Sequence, residues 1–289
     1  MNKRRETFKK TTLNNSTALI LLKRLYFFKL IVFTIINKQN LIFLISFLAL
    51  NLLYFSTLIF SKAASDNDSN TFWATMQMFF GMFAPIIISL QIMLISCRLI
   101  VWKIDRGDMT YIVCTNTSRN QISGTCLIYL LFICVCNLLS FYLIAFLAPE
   151  NVKSFENYWY AMNKLILGNF YLSLLLSGLS FLASCFFNKN AYYFLIIGTI
   201  FVFSGVCNIL SFMATQMDDL KSLQFFSFFT LSSLVGVEEL FTLAVNNYDI
   251  EVITKPSAIL YLKNIACICA GIVALISSLF IFRIRDLPL

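Results

Sequence analysis

Long apolar blocks alternate with short polar connections along this chain, and the blocks outrun what a helix in a water-soluble core needs. Six of them reach or approach the ~20 residues that cover a ~30 Å hydrocarbon layer. They are Leu41–Phe60, Ala74–Cys97, Ile122–Leu147, Leu165–Phe187, Ala191–Ala214 and Asn264–Phe282, and none contains Asp, Glu, Lys or Arg. Because each block is apolar all round, helical periodicity cannot say which face points inward, and length alone assigns it. The pattern predicts an all-α membrane protein with six transmembrane helices within residues 41–289, preceded by a basic N-terminal region over residues 1–40.

An earlier stretch, Thr17–Ile36, is also apolar, but Lys23, Arg24 and Lys29 interrupt it. Each of these charges would cost about 2.5–3.5 kcal/mol at the bilayer centre. A seventh span would carry that cost. A helix lying in the interface avoids it, with the three basic side chains reaching anionic headgroups. An N-terminal interfacial helix is therefore expected. The first block is kept as a span rather than a cleaved signal, since both its basic lead and its apolar stretch are too long for one.

Composition agrees with a lipid-facing surface. Hydrophobic residues make up 59% of the chain and charged residues 12%, where a soluble domain carries about 25% charged. The distribution of charge then sets the expected orientation. With the N-terminus inside, the inner segments hold 16 of the 22 Lys and Arg but only four of the 14 acids. An excess of Lys and Arg marks cytoplasmic loops, so both termini, residues 98–121 and residues 188–190 are expected in the cytoplasm of a multi-pass cell-membrane protein. The net charge of +8 follows from that topology and calls for no nucleic-acid partner.

Candidate chemistry is sparse. There is no histidine, which removes the commonest general base and metal ligand. No Gly-x-x-x-x-Gly-Lys phosphate loop, nucleophile elbow or metal-ligand cluster occurs, so no catalytic residue and no cofactor of the chain's own is expected. Its nine cysteines suggest small hydrophobes rather than a disulfide framework. Neutral polar residues lie at depth instead: Asn51, Gln91, Asn137, Ser140 and Asn208. Such groups either bond a neighbouring helix or line a pathway. The absence of ionisable groups in the blocks argues against coupling to an ion gradient. Small residues four apart, at Ala266, Ala270, Ala274 and Ser278, at Ser173 and Ser177, and at Ser180 and Ser184, mark close helix packing, within one chain or between copies. Gly81 and Pro85 predict a kink in the second span.

Three local features carry a family resemblance. The basic stretch Leu22-Lys23-Arg24-Leu25-Tyr26 precedes the first span. The loop after the second span runs from Lys103 through Ile104, Asp105, Arg106, Gly107, Asp108, Met109 and Thr110 to Arg119. The chain ends Arg285-Asp286-Leu287-Pro288-Leu289. With six spans and a long segment between the last two, this pattern resembles the permease subunit of an ABC transporter of the type-2 exporter class, of the kind found in wall-less, AT-rich bacteria. Asp105, Gly107 and Arg119 fit the family's loop pattern. Its proline is missing, and Met109 intervenes before Thr110.

The resemblance implies an ATP-driven exporter with two permeases, two copies of this chain or one with a related permease, and a separate ATPase subunit that binds ATP and Mg. It implies that the loop after the second span, with Ile104, Asp105, Arg106, Gly107, Asp108, Met109, Thr110 and Arg119, docks on that ATPase. It also implies that residues 215–257 cap the outer end of the pathway; their length suggests short interfacial or re-entrant helices. The alternative from another class is a membrane scaffold or accessory subunit that transports nothing.

Overall fold

The structure, a computed structural model, describes residues 41–65, 75–76, 78–109, 118–146, 155–216, 222–223, 225–226, 229–230, 233 and 258–285. The expected interfacial helix, with Lys23, Arg24 and Lys29, lies outside the described residues, as do Thr110 and the last four residues. The described chain is helical. Its elements are α1 (Leu41–Ser65), α2 (Ala84–Leu99), α3 (Val101–Asp105), α4 (Arg119–Phe146), α5 (Phe155–Phe186), α6 (Asn190–Tyr193), α7 (Thr199–Gln216) and α8 (Ala258–Ile284).

Six helices are long and apolar enough to cross a membrane: Leu41–Phe60, Phe79–Asp105, Arg119–Phe146, Met162–Phe186, Asn190–Ser211 and Tyr261–Ile284. Each corresponds to one of the six apolar blocks. The helices outrun several blocks, since a helix end in the interface tolerates charge. Lys164 and Lys263 lie on α5 and α8, and the second span runs past Arg98 into α3.

Where the sequence leads one to expect a kink, the second span has a π-helical turn at Phe79–Phe83, in which the Ala84 N–H donates to the Phe79 carbonyl five residues back. Pro85 follows in the first turn of α2, where it has no N–H to donate, and a wider turn accommodates the lost bond. A second π turn, Phe194–Gly198, joins α6 to α7.

The bundle has two apolar centres. The first holds four rings in mutual contact, Tyr54, Phe79, Phe80 and Phe141, with centroids 4.8 to 6.0 Å apart. It fastens α1, which between positions 41 and 60 buries Leu50, Tyr54 and Leu58, one residue per turn or so, while Leu44, Leu48, Leu52, Phe55 and Ile59 face outward. The second joins Leu99, Ile104 and Met109 to Ile122 and Cys126 of α4, Phe181 and Cys185 of α5 and Phe282 of α8.

α5 and α8 pack closest. A Cβ on Gly178 would stand 2.5 Å from the Gly271 carbonyl oxygen, and one on Gly271 would stand 3.0 Å from the Leu174 carbonyl oxygen. Only glycine permits that approach of backbones. The buried seam of α8 runs through Cys267, Gly271, Ala274 and Ser278, whereas Ala266 and Ala270 of the expected stripe are exposed. The seryl ladder of α5 behaves as expected. Ser173, Ser177, Ser180 and Ser184 are all buried, and the hydroxyls of Ser173, Ser177 and Ser184 donate to carbonyls of their own helix, so they act as small residues and need no partner across the seam.

Candidate functional site

The ends of the spans sort into two sets. At one end, Phe146 lies against Trp159, the Tyr142 hydroxyl bonds the Asn163 amide oxygen, and Lys164 Nζ sits 5.0 Å from the Tyr261 ring. At the other end, Arg119, residues 188–190 and Arg285 come together. Among the described residues this second end carries Arg98, Lys103, Arg106, Arg119, Lys189, Arg283 and Arg285. It is the basic end of the bundle.

The residues singled out after the second span lie here. The backbone breaks at Ile100, with φ −124° and ψ −64°, and resumes as α3. α3 ends when Gly107 adopts φ +78°, a left-handed conformation that a Cβ would strain, and its N–H donates to the Ile104 carbonyl at 3.0 Å. This is the usual glycine stop of a helix. Asp108 and Met109 return to helical geometry. The segment is thus two-faced. Ile104 and Met109 are buried in the second apolar centre, while Asp105, Arg106 and Asp108 are exposed. The Arg106 guanidinium stacks 3.8 Å over the Trp102 ring, which restrains it at a cost in freedom offset by about 0.5–1 kcal/mol of cation–π attraction.

Arg119 does not share that exposed face. Its Nη1 donates to the carbonyl oxygens of Arg285 at 2.8 Å and Arg283 at 3.5 Å, capping the end of α8, where the helix dipole favours a cation. Arg285 in turn donates to the Cys185 carbonyl and to the Asn188 side-chain oxygen. Burial pushes the Arg285 pKa down from its usual value, yet a guanidinium stays charged at neutral pH. Arg285 stands out in the sequence only as the first residue of the closing Arg285–Leu289 tail, with no sign of these bonds, and Asn188 carries no motif signal.

The polar residues at depth divide into two groups. Asn137 Nδ2 donates to Gln91 Oε1 at 2.9 Å between α4 and α2, with both side chains buried. This is the interhelical bond expected of amides in lipid. Asn51 and Ser140 belong to the other group: each donates to a carbonyl of its own helix, Phe47 and Asn137 respectively. Asn208 is buried on α7. Asn169, also buried and bonded to the Leu165 carbonyl, was missed, though its spacing of four residues before Ser173 places it on the same ladder. Among the described residues no group of three or more His, Cys, Asp or Glu is placed to hold a metal.

In the segment before α8, the described positions 222–223, 225–226 and 229 take 3₁₀ geometry. Phe229 packs on Phe203 and its carbonyl accepts from the Ser204 hydroxyl at 3.2 Å, so this part of the segment lies on α7. No protein-family model matches the chain, and no curated protein does.

Proposed function

We propose that this chain is the permease subunit of an ATP-driven exporter of the ABC type-2 class, working as a pair of permeases in the cell membrane with a separate ATPase on the cytoplasmic side. The observation that carries the reading is the two-faced segment Val101–Met109. It is anchored in the bundle by Ile104 and Met109 and turns Asp105, Arg106 and Asp108 outward. A membrane domain driven by a soluble motor needs such a part: rigidly joined to the spans on one side and offering charged partners for a partly desolvated contact on the other. The concentration of Lys and Arg at the same end supports a cytoplasmic placement for it, with both termini on that side. Between their charged ends, the six apolar blocks carry no Asp, Glu, Lys or Arg for gradient coupling, which favours energy delivered by a partner.

Purification of the full-length protein from its own membranes tests the reading. An ATPase subunit should accompany it, and replacing Arg106 with Glu should weaken that association while leaving the bundle's elution and melting unchanged. A protein that purifies without any nucleotide-binding partner would favour the membrane-scaffold alternative.

A further inference from the structure

The basic end holds more than an exposed docking segment. Asp105, the last residue of α3, accepts from the Asn190 backbone N–H at 3.4 Å. The Asn190 side-chain oxygen accepts from the Cys97 thiol of α2 at 3.4 Å. One residue before Lys189, the Asn188 side-chain oxygen accepts from Arg285 Nη2, and Arg285 Nη1 donates to the Cys185 carbonyl at the end of α5. Arg119 of α4 closes the belt on the Arg285 carbonyl. The short α5–α6 connection is therefore held on one side by the docking segment and on the other by the residue that ends α8. In this way α2, α3, α4, α5, α6 and α8 are all tied at one level. Among the described residues, Phe43 brings α1 to this end by apolar packing against the second centre.

We infer that Arg285, Asn188 and Asn190 are positioning residues that join the docking segment to the ends of α4, α5, α6 and α8, so that a displacement imposed at Arg106–Asp108 moves those helices as one body. The functional half of this statement rests on the permease reading; the mechanical half does not. Arg285 is the keystone because a single guanidinium offers five donors in a planar fork, and here it serves two acceptors while its own carbonyl receives Arg119. Lysine has a point charge and can replace only part of this.

The test has two arms, both read by backbone hydrogen exchange on the full chain. In the purified chain without nucleotide, Arg285→Ala should raise exchange in residues 187–193 several-fold, Arg285→Lys should fall between, and Lys189→Gln, which removes a charge from the same exposed connection, should match wild type. Unchanged exchange in Arg285→Ala overturns the belt whatever the chain's function. In the complex with its ATPase, ATP with vanadate should alter exchange at residues 101–109 and at 119–123 in wild type. In Arg285→Ala the response at 101–109 should persist and that at 119–123 should be lost. A response kept at both sites also overturns the belt. If the wild-type segment 101–109 ignores nucleotide while the first arm gives the expected rise, the belt stands and the permease reading fails.

Discussion

α1 and α5 are both long, apolar and able to span, yet they are used differently. Of the most apolar window of α1, 17% is buried, against 67% for that of α5. α5 is the less apolar of the two and carries Asn169, the four buried serines and Gly178; α1 presents leucines and phenylalanines outward and enters the core with one tyrosine-centred stripe. In lipid, an outward leucine is already at home and gains nothing by turning inward. Association comes instead from close packing and from hydrogen bonds between helices. Hydropathy therefore finds spans, while small and polar residues find the centre of the bundle.

Breaking that contrast starts at the closest crossing. Gly271→Val should cost about 3 kcal/mol or more, because the added atoms meet the Leu174 backbone and the helices must separate. Thermal unfolding in detergent should show it as a drop of many degrees or as loss of monodisperse protein, while Leu52→Val on the outward face of α1 should stay within about 0.5 kcal/mol. Equal losses at the two positions would end the distinction. Next in size is Tyr54→Ala, expected to cost about 2 kcal/mol, since it empties the one ring through which α1 meets Phe79, Phe80 and Phe141. Melting curves should rank it well above any outward α1 substitution.

Smaller effects sharpen the comparison. Gln91→Leu and Asn137→Leu should each cost about 1–2 kcal/mol by stranding a buried amide, and the double variant should cost less than the sum. A fully additive double variant would mean the two amides do not pair. Smallest of all, Ser177→Ala should change stability by no more than about 0.5 kcal/mol, because its hydroxyl bonds its own helix at Leu174.

The six spans and the seryl ladder of α5 were legible in the sequence because length, charge and small-residue spacing report directly on lipid and on close approach. The Gln91–Asn137 bond was legible only as a class, since any neutral amide at depth seeks a partner and nothing in one dimension says which. Gly178 and Gly271 escaped for the same reason: each is a lone glycine in its own helix, and the pair exists only across the seam. On α8 the periodic alanines drew attention to a stripe whose first half faces outward, one residue off the seam through Cys267 and Gly271. At the basic end, Ile104 to Thr110 and Arg119 stand out in the sequence, but nothing there indicates that Ile104 and Met109 point inward or that Arg119 holds the end of α8. Those roles depend on distant chain segments: Phe181, Cys185 and Phe282 complete the centre that buries Ile104 and Met109, and Arg119 reaches Arg283 and Arg285.

The proposed permease function requires that the exposed face of Val101–Met109 meet a separate motor. A photo-reactive amino acid placed at position 106 of the full-length protein, in its own membranes, tests this most directly, with the same group at outward-facing Leu143 as the reference. Irradiation should join position 106 to a nucleotide-binding subunit, with ATP and vanadate changing the yield, while position 143 should give lipid adducts alone. Cross-links from position 106 to lipid or to another membrane protein, with no nucleotide-binding subunit among the products, would contradict the claim.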